Sequence, residues 1–406
     1  MGAGLAGARA ATTLRQRGFD GEIVMVGEEQ APPYDRPPLS KTYLTGKTPQ
    51  AKLGLAPPGG WGNLEIEWRG SSRVVAIDRS RRRLILQDGE QLPYSKLALA
   101  TGSTPARPQI RGHELTGVMT FSTLEDSDRL RGWLVRRPRV LVVGGGFLGC
   151  ELAGAAIKAG CAVTLVEKGP SLLPGLDGWA GEVAHRLHES HGCKVVLGVS
   201  VIAFGGTAKV EVAMLDDGAR HPCDLVLLCV GSRPRTELAA RAGLKLGSGV
   251  LVDGRCRTSD PLVFAAGDVA CFWDPSLRRR VRLEHWDNAH RQGTHLAEAI
   301  LGGRRGYHPV PYFWSEQYDA MIQQVGWTRP SDERVVVGRP ESGHFTVLHL
   351  SGARVRACLA VNRYPDLAAA RRLIEAGAPV DRSALLAPEA DLRTVARDAI
   401  AAVSRP

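Results

Sequence analysis

Apolar and polar positions in the first half of the chain fall twice into one order. A glycine run leads into a helix-length stretch of small residues, and then a β-branched block closes on an acid. The first instance is Gly2-Ala3-Gly4-Leu5-Ala6-Gly7, an Ala-rich helical stretch through Arg17, and the strand Glu22-Ile23-Val24-Met25-Val26 ending at Gly27-Glu28. The second begins with Arg139-Val140-Leu141-Val142-Val143, whose unbroken apolar run predicts a strand buried on both faces. Gly144-Gly145-Gly146-Phe147-Leu148-Gly149 follows, then a helix from Cys150 to Ala159 and the strand Ala162–Val166 ending at Glu167. Leu97–Ala100 runs into a Thr101-Gly102 turn. Near the C-terminus Val335–Val337, Thr346–Leu350 and Val355–Val361 read as strands, with helices after Leu367. Strands alternating with helices predict an α/β chain with two Rossmann-like units, followed by an α+β segment.

Each G-x-G-x-x-G sits where a phosphate cradle needs it. The glycines let backbone approach a pyrophosphate at the positive end of the following helix, and the acid accepts hydrogen bonds from ribose hydroxyls. Gly2, Gly4 and Gly7 with Glu28 form the first candidate site; Gly144, Gly146 and Gly149 with Glu167 form the second. Glu167 also ranks the nicotinamide cofactors, because a carboxylate accepts from the 2′-hydroxyl of NAD and repels the 2′-phosphate of NADP. Lys168 beside it softens that preference. The first motif normally follows a strand, and here it follows Met1; the pattern leads us to expect roughly 5–10 further apolar residues upstream.

Composition adds exclusions. The 406 residues suggest two or three domains, and 44% hydrophobic content supports a sizeable core. No apolar run is long enough to predict a membrane span, and no basic-then-apolar leader is visible, which points to the cytoplasm. The eight cysteines form no C-x-x-C pair, which argues against a zinc cluster, a redox dithiol or a disulfide framework. The net charge of +10, carried by 43 arginines and nine lysines, can attract nucleic acid, an anionic membrane or an acidic protein and decides nothing alone. No nucleic-acid recognition motif accompanies it.

Further segments stand between and after the two units: Pro33-Tyr34-Asp35-Arg36-Pro37-Pro38-Leu39-Ser40-Lys41, Thr258–Asp268, Pro311-Tyr312-Phe313-Trp314-Ser315-Glu316-Gln317-Tyr318, Val361-Asn362-Arg363 and Arg371-Arg372-Leu373. Taken with both glycine motifs, they resemble the FAD-dependent NADH:ferredoxin reductases of oxygenase systems, over nearly the whole chain. The resemblance implies a glutathione-reductase-like arrangement: an FAD domain from 1–112 and 238–315, an NADH domain from 113–237, and a C-terminal α+β domain from 316–406. It implies flavin contacts at Ala6, Glu28, Arg36, Lys41, Val74, Asp268 and Trp286, with Thr101, Gly102 and Gly267 beside them and Gly231 among the nucleotide contacts. Asp268 is expected at a helix N-terminus, where it can also cap. One position departs from the family pattern: Ser122 stands before Thr123-Leu124-Glu125-Asp126, where relatives carry a flavin-contacting Arg, so either a lower cofactor affinity or a substitute Arg is expected.

The resemblance also implies the reaction. Hydride passes from NADH to FAD, and single electrons pass on to a [2Fe–2S] ferredoxin, or a rubredoxin-like carrier, serving an oxygenase. Lys41 is expected near the flavin, with Glu151 as its carboxylate partner, and Trp314 at the flavin edge. Acidic ferredoxin is expected at Arg278-Arg279-Arg280 with Arg282, or at Arg304-Arg305, and the protein as monomer or homodimer. Two alternatives stay open: an NADH-dependent disulfide or peroxide reductase, against which the Cys-free Arg36–Lys41 stretch speaks, and a redox sensor resembling apoptosis-inducing factor.

Overall fold

The computed structural model describes residues 1–386 and 391–403, so the expected C-terminal domain reaches beyond the described residues. The chain forms two compact units. One comprises residues 1–39, 46–104 and 232–309; the other comprises 40–45, 105–231 and 310–406.

In the first unit, helix Leu5–Gln16 lies against helix Trp286–Ile300, its partner from the far end of the unit. They touch through small residues: a Cβ at Gly293 would stand 2.4 Å from the Ala6 carbonyl oxygen, so only glycine permits the approach. Ala6, Ala10, Phe264, Ala266 and Leu296 build the core there. Strand Ile23–Val26 pairs in parallel with Ile66–Arg69, and Leu97–Leu99 with Val263–Ala265. Met1 and Gly2 bond to both pairs. Gly2 N donates to Val26 O at 2.8 Å, Ala100 N donates to Met1 O at 2.8 Å, and the Met1 amino group donates to Ala98 O at 2.9 Å. The strand Val74–Asp78 begins a three-stranded antiparallel meander.

The second unit holds a five-stranded parallel sheet in the order Lys194–Leu197, Ala162–Glu167, Arg139–Val143, Leu225–Leu228, Val118–Thr120. Its central strands are as dry as their unbroken apolar runs predict, with Leu141, Val142 and Leu165 fully buried. Chain order reverses between Arg139–Val143 and Leu225–Leu228, and at that switch point, beyond the strands' carboxyl ends, lies the second glycine loop.

The C-terminal part of this unit is a five-stranded antiparallel sheet: Tyr312–Gln317, Ala320–Gly326, Arg354–Val361, His344–Ser351, Glu333–Arg339. Helix Tyr364–Ala376 packs on it through Leu367, Ala370 and Leu373. This helix begins three residues before Leu367 because Pro365 suits its first turn. Polar contacts tie this sheet to helix Gly178–Ser190: the Tyr318 hydroxyl lies 3.0 Å from His188 Nδ1, and Asp177, the helix N-cap, lies 3.3 Å from His349 Nε2 and donates its backbone N–H to Gln324 at 3.1 Å. No helix of the described residues is long and apolar enough to cross a membrane.

Candidate functional site

The two glycine loops are built alike, residue for residue. Gly2 and Gly144 take φ of +94° and +104°, and a Cβ on either would stand 2.1 and 2.4 Å from the carbonyl oxygens of Ala100 and Cys229. Gly7 and Gly149 press back on their own loops: a Cβ there would meet the carbonyl oxygens of Gly2 and Gly144 at 2.1 and 1.9 Å. Gly4 and Gly146 are different, for nothing lies within 4 Å of a Cβ at either. Each is the N-cap of its helix, makes no side-chain cap, and is followed by a first turn without acids. Two glycines in each loop therefore shape the turn, and the middle one leaves open space at the start of the helix. That is a cradle for an anion at a helix N-terminus, and it fits the pyrophosphate of a dinucleotide in both places.

The two acids sit differently. Glu167 is buried, and its oxygens accept from Gly145 N and Gly169 N, both at 2.7 Å. It fixes the glycine loop to the turn after its own strand. Glu28 is 44% exposed and pairs with the Arg235 guanidinium. Arg235 is itself anchored through its backbone: its N–H donates to Gly102 O at 3.0 Å, and its carbonyl accepts from Thr101 Oγ1 at 3.0 Å. Glu29 takes Arg36 and the Tyr34 hydroxyl, each at 2.5 Å.

Asp268 lies in the same unit as Glu28 but not at a helix N-terminus. The segment Gly267–Val269 is a single 3-10 turn, and the carboxyl accepts from Ser103 Oγ at 2.8 Å, so the expected capping role is corrected to a bond with a distant strand. Burial, reinforced by Glu284, pushes this carboxyl up to about 6 against the opposing effect of Ser103, Arg282 and Arg36. Trp286 begins helix Trp286–Ile300, where its indole N–H donates to Asp35 at 2.6 Å. Val74 is buried in its strand.

Lys41 and Glu151 meet. Glu151 lies in helix Phe147–Lys158, two residues past Gly149; Lys41 Nζ reaches its Oε1 at 2.9 Å, and the side chains are only 15% and 8% exposed. The segment carrying Lys41 is held by Tyr43. Its hydroxyl donates to Asp128 at 2.7 Å, its ring lies 4.5 Å from the Arg131 guanidinium, and its carbonyl accepts from Arg131. Asp128 and Arg131 belong to helix Leu124–Leu134, whose capping box joins Thr123 and Asp126, with Ser122 N donating to Asp126 at 3.0 Å. So the Thr-Leu-Glu-Asp segment caps the helix that positions the lysine's loop.

The thiols offer no redox pair. All eight cysteines are free. Burial pushes Cys193, Cys223 and Cys229 up to about 12, and raises Cys150, Cys256 and Cys358 as well. Thiolate, the species that attacks a disulfide, is scarce at each of these. Among the arginines expected to dock a partner, Arg282 pairs with Glu284 and donates to Asp268 O at 3.3 Å, and Arg280 donates to Val252 O at 3.2 Å. Arg278, Arg279, Arg304 and Arg305 are exposed.

Residues 1–293 match the pyridine nucleotide-disulphide oxidoreductase family, and residues 312–396 match the reductase C-terminal family. The chain belongs to the pyridine nucleotide-disulphide oxidoreductases. It is 41% identical, over 97% of its length and 98% of the relative's, to the anthranilate 1,2-dioxygenase system ferredoxin–NAD(+) reductase component of Burkholderia cepacia. It is 35% identical to the putidaredoxin reductase of Pseudomonas putida, covering 95% of this chain and 93% of that one. Its fold superposes with a TM-score of 0.93 on the reductase in the covalent putidaredoxin reductase–putidaredoxin complex, at 34% identity over 98% of this chain and 97% of the other.

Within this family frame, sequence reasoning missed Ser40, Ser315, Arg235 and Tyr43. One signal was readable. In Tyr312–Gln317 burial alternates, and Phe313, Ser315 and Gln317 share the buried face. Two polar side chains at inward positions of a strand mark something to be bonded there.

Proposed function

We infer that this protein is an NADH-dependent ferredoxin reductase: it takes hydride from NADH onto FAD and passes single electrons to a ferredoxin that serves an oxygenase. The observation that carries this reading is the pair of like-built pyrophosphate cradles in a chain whose buried thiols provide no disulfide chemistry, together with full-length similarity to ferredoxin reductase components. FAD supplies the conversion, since it accepts two electrons as hydride and releases them one at a time.

We assign the first unit's Gly2, Gly4, Ala6, Gly7, Glu28, Arg36, Val74, Thr101, Gly102, Gly267, Asp268 and Trp286 to holding FAD, and Gly144, Gly146, Gly149, Glu167 and Gly231 to holding NADH. The work of these groups is orientation, which converts a bimolecular hydride transfer into a positioned one. Lys41, fixed by Glu151, supplies a cation that favours the reduced flavin. The partner of this reading is an acidic [2Fe–2S] ferredoxin, drawn to the exposed Arg278, Arg279, Arg304 and Arg305. Complementary charge of that kind raises encounter rates and is screened by salt.

The test is anaerobic mixing of the FAD-loaded protein with NADH or NADPH, then with a ferredoxin. NADH should bleach the flavin much faster than NADPH, and ferredoxin should recolour it at a rate that falls with salt. Lys41→Ala should retain FAD and slow the bleaching. A protein that bleaches but reduces no ferredoxin, and instead holds a long-lived NAD complex, would overturn the reading in favour of a redox sensor.

A further inference from the structure

Glu151 stands where three segments distant in sequence meet. Its Oε1 takes Lys41 Nζ at 2.9 Å and Ser315 Oγ at 3.0 Å, and its Oε2 takes Ser40 Oγ at 2.7 Å. Ser315 is fully buried on strand Tyr312–Gln317 of the C-terminal sheet. Behind it, Gln317 Nε2 donates to Ser315 Oγ at 3.2 Å. A serine hydroxyl has one proton to give and lone pairs to receive with. The amide of Gln317 occupies an acceptor position, so the proton of Ser315 is turned toward Glu151. Burying a hydroxyl at an inward strand position costs free energy unless it is bonded. This one is bonded to the carboxylate that holds Lys41.

The geometry has a consequence for the lysine. Ser40 and Lys41 are adjacent in the chain and reach opposite oxygens of the same carboxylate. Both tie one loop to Glu151. Ser315 is the donor that comes from a different element, the C-terminal sheet, and it shares with Lys41 the oxygen that sets where the ammonium rests. We propose that Ser315, oriented by Gln317, is a positioning residue for the Lys41–Glu151 pair, through which the C-terminal sheet holds the lysine ammonium in place for flavin reduction. This rests on the assignment of Lys41 given above.

The experiment compares Ser315→Ala, Ser315→Thr, Lys41→Ala and the double variant Ser315→Ala/Lys41→Ala, all loaded with FAD, by stopped-flow bleaching with NADH. Loss of one hydrogen bond to an ionised group predicts a limiting rate slowed about 10-fold in Ser315→Ala. The NADH concentration giving half the limiting rate should stay at the native value, and Ser315→Thr should recover most of the rate. In the Lys41→Ala background, Ser315→Ala should add nothing, since neighbours acting through one group are not additive. Equal slowing of native and Lys41→Ala proteins would overturn the proposal by showing a general packing role. So would a native rate in Ser315→Ala when Lys41→Ala is slow. If Lys41→Ala itself reduces at the native rate, the lysine assignment falls and the proposal with it. Should Ser315→Ala fail to fold, Gln317→Met serves instead. It keeps the hydroxyl but releases its orientation, and it must slow the reaction in the native background only.

Discussion

Replacing Glu167 by Gln separates the two jobs its position implies. The native carboxylate accepts from Gly145 N and Gly169 N, both at 2.7 Å, in a buried setting. A glutamine keeps one acceptor oxygen, and its NH2 then faces a backbone N–H, donor against donor. One bond to an ionised acceptor is lost and one buried N–H is left unpaired, a cost of about 3 kcal/mol in unfolding free energy. The same change removes the negative charge that would repel a 2′-phosphate. A carboxylate facing phosphate charge in a partly shielded site costs roughly 2–3 kcal/mol, so the preference for NADH over NADPH should fall about 30–100-fold. The exposed Lys168 next door would then favour the phosphate. Urea unfolding measures the first effect, and the ratio of kcat/KM for NADH and NADPH with an artificial acceptor measures the second. Lost stability with unchanged selectivity would make Glu167 a clamp of the loop and remove it from the ribose site. Unchanged stability would refute the two backbone bonds on which the calculation stands.

Three further outcomes follow from particular contacts. Asp268, pushed up to about 6 from 3.8, takes up a proton on folding, so its contribution to stability falls as pH rises through 6. Asp268→Asn should therefore make the flavin-free protein more stable at pH 8 by about 1–2 kcal/mol, given partial solvent screening, with the gain gone below pH 4, as thermal unfolding across pH would show. His188 is fully buried and pushed by burial down to about 4, so stability is lost as pH falls from 6.5 toward 4. At pH 5 that loss is about 2 kcal/mol, and His188→Gln should remove it in denaturant titrations at pH 7 and pH 5. Arg235→Ala removes a cation beside Glu28 and should raise the Kd for FAD about tenfold in a fluorescence-quenching titration of the flavin-free protein; tighter binding would show that Arg235 only competes for Glu28.

What could be read from the sequence was local, and the reason is steric. The first and last glycine of each loop answer to atoms a few residues away or to a neighbouring strand end, so spacing along the chain carries the information. Helix Phe147–Lys158 begins before the expected Cys150 because Gly146 is already its N-cap. Lys41 and Glu151 are 110 positions apart, and no periodicity joins them; only the likeness to relatives suggested the pair. The partners of Ser315, Arg235 and His188 were invisible for the same reason. They are set by which strand ends and helix faces the fold brings together. The expectation that Asp268 caps a helix failed because Gly267-Asp268 reads like a helix start, whereas the chain makes a single turn and goes on as strand Ala270–Asp274.

The two acids carry this one step further. Spacing puts Glu28 and Glu167 in equivalent places, yet the fold holds them in opposite ways. Glu28 is paired to a side chain at the surface, a contact worth little and easily exchanged. Glu167 is locked to backbone on both oxygens. A cofactor that stays bound meets the cost of rearranging its acid once. A substrate that enters and leaves in every turnover meets it each time, so a preorganised acid lowers the cost of each binding event. The buried clamp at Glu167 suits the nucleotide that comes and goes, and the exchangeable pair at Glu28 suits the one that remains. The same difference predicts that freezing Glu28 in place would change FAD affinity without touching turnover, whereas loosening Glu167 would be felt in the KM for NADH.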